Sequence, residues 1–147
     1  GAGGPTFAIK TSNQTHVATA GVSLCNGLSF AITSGVTYIY DFSIIFASSV
    51  TTTGLRLGLS YGNANFASAR ISIPNSTIGA VVGGITTSGN SVTGTAVPVV
   101  NVPYLATIDG ILNPSSTTLL TVLMGSEIAG TTVAVLKGSL GRLVVAS

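Results

Sequence analysis

The sequence predicts an all-β domain, an antiparallel β-sandwich of the jelly-roll type with about eight strands. Runs of β-branched and aromatic residues alternate with Gly, Asn, Pro and Ser turns about every ten residues, which is typical of sandwiches and barrels. Signals for helices are almost missing. A chain of 147 residues, of which 46% are hydrophobic, is also long enough to bury one sizeable core.

Two strands are indicated by strict alternation along the chain. Residues 38–46 place aromatic and aliphatic side chains on one face, and Asp41 and Ser43 on the other. Residues 55–61 repeat this arrangement, with Arg56 and Ser60 on the polar face. Because a short Thr-rich turn separates the two strands, we expect them to pair with each other as antiparallel neighbours.

Six further runs complete the predicted strands: residues 28–32, 69–73, 102–112, 118–124, 131–136 and 140–145. The stretch 78–99, rich in Gly, Ser and Thr, is predicted to form a strand followed by a long loop. Long loops on β scaffolds often carry binding or assembly contacts. Residues 1–5 are predicted to be a flexible linker or a processed N-terminal end, and residues 6–147 to form a single domain.

Charged side chains are unusually scarce. Five Lys or Arg and three Asp or Glu residues make up 5% of the chain, against about a quarter in an ordinary soluble domain. An isolated monomer with so little charge risks sticking to its neighbours, so the composition favours a protein that works inside an assembly. The basic residues are scattered, which argues against nucleic-acid binding. No run approaches the roughly 18 consecutive apolar residues of a membrane-spanning helix, so no membrane insertion is expected.

The groups that catalysis requires are almost missing. The single histidine, His16, follows a polar stretch and is predicted to be an exposed strand residue. Three carboxylates, Asp41, Asp109 and Glu127, offer no evident glycosidase pair or calcium loop. We therefore expect no enzyme activity and no catalytic residue, metal or cofactor. Cys25 is predicted to be a small buried hydrophobic residue.

Two sets of residues are candidates for a role in binding or assembly. The loop around Gly62 mixes aromatic and amide groups, as sugar-binding and protein-binding loops do, and is the candidate partner-binding loop: Tyr61, Asn63, Asn65 and Phe66. We favour a simpler interpretation, in which its aromatic side chains anchor a turn to the core. The second set consists of charged residues expected to form ion pairs that fix strand register or a subunit contact: Arg56, Arg70, Asp109 and Glu127.

Five motifs occur in a characteristic order: GLSFAITSGVTY at 27–38, TTTGLRL at 51–57, PYLATIDG at 103–110, GSEIAGTTV at 125–133 and KGS at 137–139. With this order and spacing, the chain resembles the small β-sandwich domain of structural proteins of tailed bacteriophages and prophages, of the head-decoration or fibre type. The resemblance covers residues 6–147 and implies a virion component and a homotrimer. It also suits residues 1–5 as a linker from a preceding segment. Cys25 departs from the aliphatic or polar residue expected at its position.

Composition and resemblance together lead to a virion structural protein as the expected function, a capsid decoration (cement) or head-fibre protein that stabilises the particle through oligomeric contacts. The expected partners are further copies of the chain and the major capsid protein or other virion proteins, and the expected location is the extracellular particle. One alternative is the receptor-binding tip of a tail fibre, whose loops would grip a host glycan or protein. A second is a cell-surface filament subunit that donates a strand, for which residues 6–10 are the candidate segment.

Overall fold

Two antiparallel sheets, one of eight strands and one of four, face each other across an apolar core in the computed structural model. The structure describes residues 4–17, 22–75, 79–128 and 130–146, so residues 1–3 of the predicted linker lie outside the described part. Within the described ranges every regular element is a strand. The predicted class, an all-β antiparallel sandwich, is therefore confirmed, whereas the trimer stays a prediction.

Strands are numbered in chain order. The larger sheet contains β1 (Thr6–Ile9), β2 (Gln14–Val17), β4 (Tyr38–Ser48), β6 (Ala64–Pro74), β7 (Ala80–Ile85), β9 (Tyr104–Pro114), β11 (Thr132–Val135) and β12 (Leu140–Val145). Its order is β1-β12-β4-β9-β6-β7, and β11 pairs with both β2 and β4. The smaller sheet contains β3 (Ser23–Ile32), β10 (Thr118–Ser126), β5 (Leu55–Ser60) and β8 (Ser91–Thr93), in the order β3-β10-β5-β8. Because it pairs with β9, β11 and β12, β4 is the central strand of the larger sheet.

The prediction of about eight strands is too low. The eight predicted runs correspond to β3, β4, β5, β6, β9, β10, β11 and β12, and the strand predicted within 78–99 corresponds to β7. The predicted strands do not include β1, β2 and β8, which have only three or four residues each. β8 lies where the sequence predicts a long loop, and it is defined by its pairing with β5.

The expected pairing of the first two alternating strands, β4 and β5, is wrong. β5 pairs with β10 and β8 in the smaller sheet, whereas β4 belongs to the larger one. The connection, residues 49–54, crosses between the sheets, and six extended residues can span more than the roughly 10 Å that separates packed sheets. Alternation shows only that each strand buries one face. Two strands that face each other across a sandwich alternate in the same way as two strands that lie side by side.

The core is built on the inward face of β4. Phe42, 1% exposed, has its ring centroid 5.7 Å from that of Phe30 on β3 and 6.0 Å from that of Tyr40. Gly141 of β12 is the register partner of Phe42 and leaves space for its ring. Further fully buried side chains fill the space between the sheets: Ile44, Phe46, Leu55, Leu57, Leu59, Ile71, Ile73 and Ile108.

Replacing Gly141 with alanine should destabilise the fold. A Cβ atom there would lie 2.6 Å from two ring carbons of Phe42, and a ring packed in the core cannot move without disturbing its neighbours. Overpacking of this kind costs about 1–3 kcal/mol of unfolding free energy, measurable by urea denaturation. Gly84→Ala is the control, because its Cβ would make an ordinary contact of 3.6 Å with the Ala69 carbonyl oxygen. Equal losses in both variants would contradict the prediction.

Side chains cover part of the free edge of β3. Gln14 Nε2 donates to the Leu24 carbonyl at 3.0 Å, and Gln14 Oε1 accepts from the Asn26 N–H at 2.7 Å. The amide thus takes the place of a peptide group on a neighbouring strand. Lys10 Nζ donates to Gln14 Oε1 and to the Asn26 carbonyl, both at 2.7 Å. Because unpaired edge groups recruit other chains, this cover limits pairing along that part of β3.

Removing the Gln14 amide should loosen this edge. In Gln14→Ala the Asn26 N–H loses its acceptor, so its amide hydrogen should exchange faster with solvent, and the unfolding free energy should fall by about 1 kcal/mol. Hydrogen exchange followed by NMR measures the first effect, and denaturation the second. Ser12→Ala, a change at an exposed residue between β1 and β2, should leave both unchanged. Unaltered protection of the Asn26 amide in Gln14→Ala would show that the side chain does not protect the edge.

Candidate functional site

Four of the eight charged side chains of the chain lie in one row across the outer face of the larger sheet. Arg142 of β12 lies opposite Asp41 of β4, Asp41 opposite Asp109 of β9, and Asp109 opposite Arg70 of β6. Arg142 Nη2 donates to Asp41 Oδ2 at 2.8 Å, and Arg70 Nη2 lies 3.7 Å from Asp109 Oδ2. We call these four residues the charge row.

The charge row does little for the stability of the isolated domain. Its side chains are 36% to 72% exposed, and ion pairs at such exposure contribute about 0–1 kcal/mol. The two carboxylates, Asp41 and Asp109, are direct cross-strand neighbours, and like charges in that position are destabilising. Fold stability therefore does not account for the row.

Aliphatic side chains flank the charge row on the same outer face. On one side Ile39 of β4 is paired with Ile111 of β9, and they are 48% and 41% exposed. On the other side, beyond the Ser43–Thr107 pair, Leu105 of β9, 56% exposed, is paired with Ile45. We call these four residues the outer-face patch. A shallow depression of about 580 Å³ lies over the row, and Ile39 and Ile111 are among its lining residues. Exposed apolar surface beside polar groups is typical of protein interaction sites.

The residues predicted to form ion pairs separate into two groups. Two of them belong to the charge row described above. The other two bind neutral groups: Arg56 Nε donates to Ser91 Oγ at 2.8 Å, and Glu127 Oε1 accepts from the Gly54 N–H at 2.9 Å. The first bond joins β5 to β8, and the second joins the residue before β5 to the residue after β10, so neither joins opposite charges.

The candidate partner-binding loop covers the turn after β5 and the first residues of β6. Tyr61 is 2% exposed and Phe66 is 50% exposed, so only one of its two aromatic side chains lies in the core. Asn63 is exposed, and Asn65 Nδ2 donates to Asn113 Oδ1 at 2.8 Å. The structure therefore keeps the four predicted residues together, along a groove of about 410 Å³.

His16 is buried, which corrects the prediction of an exposed residue. It is 6% exposed, its Nδ1 accepts from the Ser126 N–H at 3.3 Å, and Ser126 Oγ donates to the His16 carbonyl at 3.1 Å. Polar residues can be buried wherever each meets a partner. The sequence gives no sign of this contact because the two residues are 110 positions apart.

Cys25 lies in the core beside Lys10, and they are 1% and 2% exposed. Burial raises the pKa of the Cys25 thiol, and the nearby Lys10 ammonium offsets part of that rise. The folded state therefore holds a neutral, shielded thiol. In the described ranges, no three His, Cys, Asp or Glu side chains come together as a metal ion would require. The same ranges contain no helix with the length and apolar character to cross a membrane.

No protein-family model and no curated protein matches the chain. Among solved structures, the Eiger TNF of S. frugiperda is similar over 97% of this chain and 92% of its own, with 12% identity and a TM-score of 0.49. The VP2 subviral particle of infectious bursal disease virus is similar over 96% of this chain, which spans 40% of VP2, with 10% identity and a TM-score of 0.27. A lipoprotein of Bacteroides thetaiotaomicron is similar over 97% of this chain and 82% of its own, with 8% identity and a TM-score of 0.22. Likeness at this level assigns no function.

Tyr61→Phe should not destabilise the protein, although this side chain is buried. Among the described residues, none hydrogen-bonds the Tyr61 hydroxyl, so its removal should raise the unfolding free energy at neutral pH by up to about 1 kcal/mol. Tyr38→Phe is the matched control. The Tyr38 hydroxyl accepts from the Thr33 N–H at 2.9 Å, so this change should cost about 1 kcal/mol in the same denaturation experiment. A larger loss from Tyr61→Phe than from Tyr38→Phe would contradict the assignment.

Alkaline pH should distinguish Tyr61→Phe from the wild type. Burial raises the pKa of Tyr61 above its ordinary value of 10.0, so the folded state keeps a phenol proton that the unfolded state releases. Stability therefore falls as the pH rises through that unfolded-state value. Between about pH 9 and pH 11 the variant should lose less unfolding free energy than the wild type. Parallel losses would show that Tyr61 titrates alike in the folded and unfolded states.

Proposed function

We propose that this chain is a structural protein of a bacteriophage virion, a capsid decoration or head-fibre protein that binds a protein partner through the outer face of its larger sheet. The observation that carries the proposal is the position of the outer-face patch and the charge row on the same central strands. Neither feature is accounted for by the stability of the isolated domain. The resemblance of the motif order to virion proteins of tailed bacteriophages supports the assignment to a particle.

The two features have separate roles in the proposed contact. Burial of the outer-face patch supplies affinity, because apolar surface removed from water contributes about 25 cal/mol per Å². The charge row supplies orientation and selectivity, because its order across four strands is positive, negative, negative, positive. A partner that presents the complementary order is favoured, and one that places like charges opposite is rejected. The scarcity of charge elsewhere makes this row the main electrostatic feature of the surface.

The charge order also limits how copies of the chain could assemble. A second copy placed face to face, about a two-fold axis centred on the row, would set Arg142 against Arg142 or against Arg70. Such an isologous contact is therefore disfavoured. A closed ring of three copies uses a heterologous contact, in which two different surfaces meet, and so does binding to another virion protein. We propose a homotrimer, with the major capsid protein or other virion proteins as further partners.

The structure bears differently on the two alternative functions, strand donation and receptor binding. Strand donation by residues 6–10 is disfavoured, because β1, residues 6–9, already pairs with β12 of its own chain from Thr6↔Leu143 to Ile9↔Leu140. The receptor-binding tip of a tail fibre is the second candidate, and the groove at Phe66 is the feature that favours it. In either case the protein would act by binding to other molecules and not by catalysis.

Leu105→Asp should disrupt assembly without disrupting the fold. Leu105 is 56% exposed on the outer face of the larger sheet, so the added carboxylate is solvated in the monomer but would be buried in the proposed contact. Sedimentation velocity at micromolar concentration should show an oligomer for the wild type and monomer for the variant. Leu119→Asp is the matched control, because Leu119 is also 56% exposed but lies on the smaller sheet. A wild-type chain that stays monomeric, or equal effects of the two variants, would count against self-assembly through this face.

The place of the chain on its native particle tests the proposal as a whole. Cryo-electron microscopy should show density for the sandwich on the capsid surface, with the larger sheet turned toward its neighbours and the Leu105 side chain in a contact. Density at a tail-fibre tip would favour the second candidate. Absence of the chain from purified particles would overturn the virion assignment.

A further inference from the structure

We infer that the groove between the β5–β6 turn and the β7–β8 turn is a binding site for a neutral sugar, with the Phe66 ring as its stacking surface. The groove is lined by residues 61–67 and 86–88 and has a volume of about 410 Å³, within the range of small-ligand sites. It lies at one end of the sandwich. The inference goes beyond the proposed structural role and stands on separate residues.

The groove exists because two strands of the larger sheet separate at this end. Pairing between β6 and β7 ends at Ala69 and Ile85, after which the chain crosses to β8 in the smaller sheet. Ser88 in that connection joins the two walls, since its Oγ accepts from the Tyr61 N–H at 2.8 Å and from the Gly62 N–H at 3.2 Å. The walls are thus tied together by hydrogen bonds to main-chain groups, which makes the groove pre-formed.

A β-bulge places two of the exposed side chains of the groove. Ala64 pairs with Pro114 and Phe66 with Asn113, so Asn65 is an extra residue with no partner of its own in the register. Bulges re-aim side chains and are common beside binding sites. Here the bulge interrupts the alternation, so that Asn65 and Phe66 are both exposed although they are consecutive.

The Asn65 amide is held in a fixed orientation. Its Nδ2 donates to Asn113 Oδ1 at 2.8 Å, and Asn113 Nδ2 in turn donates to the Gly35 carbonyl at 3.2 Å and to Thr37 Oγ1 at 3.0 Å. Asn113 itself is 9% exposed. The bond to Asn113 uses only part of the hydrogen-bonding capacity of Asn65, which has two donors and one acceptor oxygen. A buried asparagine thus orients a surface amide that retains capacity for a ligand.

The chemistry of the lining favours a neutral sugar over other small ligands. None of the ten residues that line the groove is charged, so an ionic ligand would find no countercharge. The half-exposed Phe66 ring offers an apolar face to the C–H groups of a pyranose. Amide and hydroxyl groups of Asn63, Asn65, Thr86 and Thr87 can exchange hydrogen bonds with its hydroxyls, whereas a purely apolar ligand would leave them unsatisfied.

Titration of the full, isotope-labelled chain with methyl glycosides of glucose, galactose, mannose and N-acetylglucosamine, up to about 20 mM, tests the site by NMR. At least one sugar should shift backbone amide signals of residues 63–67 and 86–88 selectively. Phe66→Ala should weaken that binding at least about tenfold, and Phe66→Tyr should keep it within about threefold, because only the first removes the stacking ring. Leu119→Ala, which removes an equally accessible apolar group on the smaller sheet, should bind as the wild type does.

Three outcomes would overturn the inference. The first is that none of the four glycosides shifts the groove signals. The second is that Phe66→Ala binds as tightly as Leu119→Ala, which would show that the ring takes no part. The third is that an anionic sugar such as sialic acid binds at least as tightly as the neutral ones. Each outcome is independent of the oligomer test at Leu105, so failure here leaves the structural role standing.

Discussion

Both surfaces of the larger sheet depend on the two-residue alternation of β4. Tyr40 and Phe42 point into the core, so Asp41 between them must point outward, and pairing with β9 and β12 places Asp109 and Arg142 beside it. A slip of one residue in either neighbour would carry a charge toward the core and an apolar residue to the surface. Burial of the inward face therefore fixes the register, and the register aligns the charge row. The ion pairs are a result of this alignment rather than its cause.

Three charged residues outside the row bind neutral groups, and this contrast makes the grouping of four charges within the row more significant. Lys10, Arg56 and Glu127 each form a hydrogen bond to a neutral group, an amide, a hydroxyl and a main-chain N–H respectively. The fold thus uses single charges to hold connections and edges, without opposite charges beside them. Among the described residues, charged side chains are grouped only on the outer face of the larger sheet, and their order there includes two adjacent carboxylates. Two adjacent carboxylates lower the stability of the monomer, and such a pair is expected where a partner compensates for it.

The sequence predicts what depends on local alternation and misses what depends on register. The long strands and the buried face of β4 follow from period two, and the burial of Cys25 follows from its apolar neighbours. The Asp41–Arg142 pair joins residues 101 positions apart, and no local feature selects Arg142 over the other arginines. The burial of His16 depends equally on a distant serine. The exposure of Phe66 depends on a bulge, which interrupts the alternation from which burial is predicted.

The proposed assembly face and the proposed sugar groove are compatible on one subunit because of their positions along β9. Leu105 lies four residues before Asp109, and Asn113, the register partner of Phe66, lies four residues after it. At about 3.3 Å per residue, Leu105 and Phe66 are therefore roughly 26 Å apart, on opposite sides of the charge row. A partner that covered the stretch from Leu105 to Ile111 would stop one pair of side chains short of Phe66. Phe66 then lies at the rim of the contact, with the groove opening toward the turns at the end of the sandwich. A subunit of this form can be fixed to a particle by the middle of its larger sheet while one end remains accessible to a ligand.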